Sequence, residues 1–386
     1  MAAGAGGSKE TAVHDAGHKA TRSLGVATTV LPADGVERCP SFLDVAAVPG
    51  YSLDAETGAS RDGCISLYRV GPTGSLEGPL DAPTLSAGVF DVRWRPGEAS
   101  ASAPCLARAA SDGSVAVLAM EHERLEERTR VSTDYGESNG AMCTSVAWAG
   151  DGGVAPATLA ATRSDGHTVL MRLHEAGDLQ VERAWLSHEL FGAPVEVWWA
   201  EFDARGGAEG QSSLLYTGAD DALLKAWDLR GDLARPVHTV RHHGEGVCHV
   251  ALCPDDAHSL STGSYDNLAR WWDSRALGRG PVQELDLGGG VWRVRYHPTR
   301  AGFALAACMY NGCALLAKSA NSGEWEVRDR YLGHASITYG CEWFHTDGQA
   351  TNPGGGTQGQ NSLGLAASVS FYDRQLHVWD PRVSDV

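Results

Sequence analysis

Apolar residues in this chain come in short runs cut by Gly, Asp, Asn, Ser or Pro, and residues 243–273 show the pattern most clearly. Residues 247–253 are, His249 apart, small or branched and apolar, and Pro254-Asp255-Asp256 stops them. Residues 259–263 form a second run, ended by the turn Ser264-Tyr265-Asp266-Asn267. Residues 268–272 form a third, closed by Trp272-Asp273. Runs this short between turn residues predict antiparallel strands. A lone three-stranded sheet cannot bury both of its faces, so the unit needs copies of itself.

The copies are counted from a turn Asp or Asn and the residue six positions later. The pairs are Asp62 with Tyr68, Asp112 with Leu118, Asp165 with Met171, Asp221 with Trp227, Asp266 with Trp272, Asn311 with Ala317 and Asp373 with Trp379. Successive anchors lie 45 to 62 residues apart, and three units close on Trp-Asp: Trp227-Asp228, Trp272-Asp273 and Trp379-Asp380. That period and that closing pair are the sequence sign of a WD-repeat propeller. The expected fold is therefore all-β, a seven-bladed WD-repeat β-propeller over residues 26–386. Residues 1–25, rich in Ala, Gly, His and Lys, read as a disordered N-terminal segment. Residues 27–31 are β-prone and are expected to complete the last blade, beside the strand ending at Trp379. Residues 347–362, with Pro353-Gly354-Gly355-Gly356, read as a loop insertion.

Composition narrows the classes of function. The length of 386 residues suits one such disc, and 47 glycines suit its many turns. No apolar run is long enough to span a bilayer. The nine cysteines are odd in number and show no CxxC, which argues for free thiols in a reducing, cytoplasmic setting. The net charge of −17 carries no basic cluster, so nucleic acid is a poor partner and a cationic group a better one. No HExxH or CxxC spacing appears, so no metal is expected.

In a propeller, the loops leading into the inner strands and the turns between second and third strands share one face around the channel. Trp198, Tyr265, Trp292, Tyr310, Tyr339, Phe371 and Tyr372 all fall there. Turn positions usually favour Gly, Asn, Asp and Ser, so this face is unusually aromatic. A ring of π-faces in an acidic protein suits a quaternary ammonium ligand, at about 0.5–2 kcal/mol per ring.

Several motifs then carry a resemblance. They are H-G-E-G-V-C-H-V (243–250), T-G-S-Y-D (262–266), G-G-V-W-R-V-R-Y-H-P (289–298), L-A-A-C-M (305–309), Y-G-C-E-W (339–343) and S-F-Y-D-R-Q-L-H-V-W (370–379). The chain resembles the diphthine methyl ester hydrolase family of WD-repeat proteins, also called diphthine methyltransferase. The match is close over residues 214–382 and general over residues 26–213. The resemblance implies a cytoplasmic hydrolase that removes a methyl ester from a modified histidine of translation elongation factor 2 during diphthamide biosynthesis. The group to be recognised carries a trimethylammonium. No cofactor and no membrane or nucleic-acid partner is implied, and a monomer is expected. A non-catalytic scaffold is the alternative, because fold alone does not fix function.

Ester hydrolysis needs a nucleophile or activated water, a base and oxyanion donors. Cys248, near the channel mouth, is the candidate nucleophile, against its reading as a small buried apolar residue. Glu196 and Glu342 are candidates to position water or face the cation. Trp198, Tyr265, Trp292, Tyr310, Tyr339 and Tyr372 are the candidate substrate-binding residues. His243, Thr262, Asp266 and Trp272 read as a structural hydrogen-bond chain, because His188-Thr217-Asp221-Trp227 and His334-Ser368-Asp373-Trp379 repeat it. One Gly-x-Ser-x-Gly, residues 136–140, sits in a polar loop rather than on a strand-to-helix elbow, and a chance match is the better reading.

Overall fold

The computed structural model describes residues 23–52, 61–97, 103–134, 140–150, 156–203, 213–346 and 362–382. Seven antiparallel sheets of four or five strands follow one another around a ring. Blade five shows the unit: inner strand Val247–Leu252, then Ser259–Ser264, Leu268–Asp273 and the outer strand Gln283–Asp286. Among the described residues the only helix is a turn of 3-10 at Leu277–Arg279, so none is long and apolar enough to cross a membrane.

Each sheet is covered on both sides by its neighbours, which is why the middle strands are apolar without alternation. Leu365–Ser370 is buried at every position. Close approach demands small residues. A Cβ at Gly263 would stand 2.3 Å from the Val291 carbonyl of the next blade.

The N-terminal strand Ser23–Thr28 closes the ring by pairing antiparallel to Gln375–Trp379. The strand therefore begins four residues earlier than residues 27–31, and Ser23, Leu24 and Gly25 belong to it rather than to a disordered segment. Leu24 packs against the core shared by blades one and seven. Gly25 is held by close packing, since a Cβ there would stand 2.2 Å from the Gly74 carbonyl. Asp62 also differs from expectation: it opens the strand Asp62–Val70 instead of sitting in a tight turn. Blade one joins its second and third strands through a longer connection, so no turn Asp is needed there. The expected segment 1–22, the serine of residues 136–140 and the insertion at 347–361 lie outside the described residues.

The hydrogen-bond chains form to different degrees. In blade four His188 Nδ1 meets Asp221 at 2.9 Å, His188 Nε2 meets Thr217 at 2.8 Å, and Trp227 Nε1 donates to Thr217 at 2.9 Å. In blade five His243 Nε2 meets Thr262 at 2.8 Å and Trp272 Nε1 donates to it at 2.9 Å. Asp266 instead takes hydrogen bonds from Arg270 at 2.8 Å and from the Gly244 amide at 2.7 Å. The guanidinium outcompetes the imidazole for that carboxylate, and His243 Nδ1 is left without a partner.

A candidate aromatic cup at the channel mouth

Five inner strands share one irregularity. Their pairing with the second strand skips Phe90 in blade two, Thr144 in blade three, Trp198 in blade four, Cys248 in blade five and Tyr339 in blade seven. A bulge releases a side chain from the alternation of the ladder and re-aims it. In blade six Trp292 precedes the strand Arg293–Tyr296, its amide donating to the Ala307 carbonyl at 2.9 Å. Blade one adds Tyr51 from the end of Val45–Tyr51.

These rings meet across blade boundaries. Trp292 is the hub, 5.5 Å from Trp198, 5.6 Å from Tyr265 and 5.1 Å from Tyr339 between ring centroids. Tyr339 leads to Phe371 at 6.0 Å, Phe371 to Tyr51 at 4.9 Å and Tyr51 to Phe90 at 4.6 Å. The arc draws on blades one, two, four, five, six and seven. One end already holds a cation: the Arg61 guanidinium lies 5.8 Å from the Tyr51 centroid and 5.1 Å from that of Phe90. Cys248, Met309 and Ile337 pack beneath Trp292.

Two carboxyls border the cup. Asp220 receives a hydrogen bond from the Trp198 indole N–H. Burial raises its pKa, the Trp198 bond opposes that, and nearby Glu196 adds to it. Asp34 lies deeper and is 5 % exposed, with its amide bonded to the Pro49 carbonyl at 3.2 Å. Burial lifts its carboxyl to about 7, against the pull of Arg293 and helped by Asp91.

Below the cup the channel is filled by charge. Arg93 and Arg293 each place their guanidinium carbon 4.1 Å from the Trp199 ring. Arg93 pairs with Glu37 at 3.4 Å, Arg293 with Asp91 at 3.5 Å, and Arg295 with Glu37 and, at 3.5 Å, Glu342. Burial raises the pKa of Glu37 and Glu201 and lowers that of Arg293 to about 10. Among the described residues no cluster of His, Cys, Asp or Glu could hold a metal.

The structure thus brings Trp198, Tyr265, Trp292 and Tyr339 together. Tyr372 stacks edge-on to Phe371 at 5.1 Å and is 66 % exposed, at the rim. Tyr310 is 80 % exposed and joins no ring contact among the described residues. Cys248 is fully buried under the rings, its thiol donating to the Gly246 carbonyl at 3.6 Å, and burial holds that thiol well above its usual pKa. Glu196 stands at the rim beside Asp220, while Glu342 lies in the charged layer and accepts from the Trp343 amide at 2.8 Å. Sequence reasoning passed over Tyr51, Phe90, Asp34 and Asp220. Asp34 sits in Pro32-Ala33-Asp34-Gly35, which reads as an ordinary turn.

Comparison with known proteins follows the same lines. The family "WD domain, G-beta repeat" matches residues 234–273. The mouse protein named diphthine methyltransferase is 29 % identical over 349 residues, covering 84 % of this chain and 70 % of its own length. The human protein of that name is 26 % identical, covering 83 % and 74 %. That of Schizosaccharomyces pombe is 26 % identical, covering 90 % and 94 %. A chain in a crystal structure of the mitotic checkpoint complex superposes with a TM-score of 0.64 at 16 % identity over 99 % of this chain and 98 % of that one, a likeness of fold alone.

Proposed function

We propose, from its similarity to the WD-repeat proteins named diphthine methyltransferase, that the chain is an enzyme of diphthamide biosynthesis that hydrolyses the methyl ester of methylated diphthine on elongation factor 2, releasing diphthine and methanol. The observation that carries this reading is the aromatic arc from Trp198 to Phe90. A trimethylammonium keeps its charge at every pH and has no N–H to donate. It is held by π-faces or carboxylates, and the cup offers both, with Asp220 and Glu196 at its rim. Rings also exclude water, which strengthens the attraction.

The modified histidine side chain enters the cup from the open face, and elongation factor 2 is the protein partner. That face carries the hairpin Glu189–Leu190 with Ala193–Pro194, whose tip residue Phe191 is fully exposed. An exposed tip of this kind also favours a second reading, a scaffold that holds other proteins without chemistry. The same proposal puts the working protein in the cytoplasm as a monomer, without nucleic acid, membrane or cofactor. The test is incubation of the purified protein with elongation factor 2 bearing methylated diphthine. Methanol release, with loss of the methyl from the modified peptide by mass spectrometry, is expected. Binding without methanol release would leave the scaffold reading.

A further inference from the structure

Asp34 is the group in the cup whose surroundings are hardest to explain by folding. A carboxyl this buried ordinarily accepts several hydrogen bonds. Asp34 is 5 % exposed, yet its carboxyl bonds no donor among the described residues. The groups that face it come from five blades. Arg293 of blade six and Asp91 of blade two act on its charge. The phenols of Tyr51, Tyr265 and Tyr339, from blades one, five and seven, all feel that charge in return. Each of these three tyrosines is half-buried, and no hydroxyl among them bonds a protein atom among the described residues. Burial raises the pKa of all three, so they stay protonated and able to donate. A carboxyl and three phenols that bond no protein group among the described residues, under a half-open aromatic wall, form a polar floor open to a ligand.

We propose that Asp34 is the general base of the ester hydrolysis, taking a proton from the attacking water, with the hydroxyls of Tyr51 and Tyr339 donating to the oxyanion. This rests on the reading of the cup as the ester-hydrolysing site. In the first step the water oxygen bonds to the ester carbon, one water proton passes to the Asp34 carboxylate, and the carbonyl π-pair moves onto oxygen. In the second, the carbonyl reforms, the bond to the methoxy oxygen breaks, and that oxygen takes the proton back from Asp34. Water and methyl ester become methanol and carboxylic acid, which then ionises, and Asp34 is restored. A base works best when its pKa lies near the working pH, and burial sets the Asp34 carboxyl at about 7.

The experiment measures kcat/KM for methanol release from methylated elongation factor 2 against pH, with binding and melting temperature, in the wild type and in Asp34→Asn and Tyr339→Phe. For the wild type kcat/KM should rise about tenfold per pH unit below pH ~7 and level off above it. Asp34→Asn should lose about 10²–10⁴-fold in kcat, bind the substrate within a few-fold of wild type, and melt no lower at pH 8, since it removes a charge held in a buried place. Tyr339→Phe should lower kcat with little change in KM. Wild-type release with a flat profile from pH 5.5 to 8.5, or an Asp34→Asn variant as fast as wild type, overturns the role of Asp34 and leaves hydrolysis standing. A wild type that binds the substrate and releases no methanol overturns the reading of the cup itself, and the role of Asp34 with it.

Discussion

Replacing Trp198 by Leu is the sharpest test of the cup as a cation site. Leucine keeps an apolar body in place but removes the π-face. Trp198 touches Trp292 at 5.5 Å and Tyr265 at 6.4 Å. Two lost aromatic pairs at about 0.5–1.5 kcal/mol each put the stability cost near 1–3 kcal/mol, so kinetics belong well below the melting temperature. A ring in a desolvated cup holds a cation by about 1–2 kcal/mol, and its loss should lower kcat/KM about 5- to 30-fold. Tyr372→Leu gives the internal comparison. At 66 % exposure its ring acts through water, so about 0.5 kcal/mol and a roughly twofold loss are expected. The assay is methanol release from two methyl esters, one carrying the trimethylammonium and one with carbon in place of the charged nitrogen. Trp198→Leu should impair the charged ester and spare the neutral one. Equal losses on both, in variants shown to be folded, would mean that the rings only fill space and that the cation is held elsewhere.

Other outcomes follow from the fold. Asp221→Ala leaves His188 Nδ1 buried without its carboxylate, so it should cost about 1–3 kcal/mol in urea denaturation while turnover per folded molecule is unchanged; Asp266→Ala should cost a similar amount, because Arg270 and the Gly244 and Leu268 amides lose their acceptor. Burial lowers the pKa of His188, His243, His249, His297, His334 and His377, with His243 at about 3, so the unfolded chain takes up these protons first as the pH falls. Stability should therefore be full above pH ~6.5 and fade as the pH drops below it, at about 1.4 kcal/mol per pH unit from His243 alone; a melting temperature flat from pH 7 to 5 counts against this. Removing residues 2–22 keeps the closing strand and should leave the melting temperature near that of the full chain. Removing residues 2–28 strips Leu24 and Ala27 from the core and should lower stability by about 2–3 kcal/mol or more.

Blade number and order were legible in the sequence because the turn Asp and the closing Trp recur at fixed spacing and each acts locally. Five cup rings, those of Trp198, Tyr265, Trp292, Tyr339 and Phe371, were legible because they stand at the mouth positions the repeat defines. The rest depends on register. Nothing in V-F-D-V-R-W (89–94) or T-Y-G-C-E-W (338–343) announces a bulge at the second residue, yet that bulge decides where Phe90 and Tyr339 point. Tyr51 lies on a second strand whose aromatic end meets the mouth only because blade one adjoins blade seven. The charged filling has a readable sign in the sequence. Arg293 and Arg295 alternate along a strand that should be the most enclosed in its blade, and Asp91 and Arg93 do the same in blade two.

The closure of the ring has a consequence for how the chain becomes active. The first of the described strands, Ser23–Thr28, must wait for the last of them, Gln375–Trp379, before it has a partner. The cup straddles that same seam, since Tyr51 of blade one meets Phe371 of blade seven at 4.9 Å. During synthesis the arc is therefore completed last: with blades one to six made, Tyr339 and Phe371 of blade seven are still missing and the arc is broken between Trp292 and Tyr51. Once the seam has shut, a ligand gripped by rings on both sides works as a staple across it. Any such ligand should protect the termini from exchange and proteolysis in proportion to its occupancy, by mass action on the closed state.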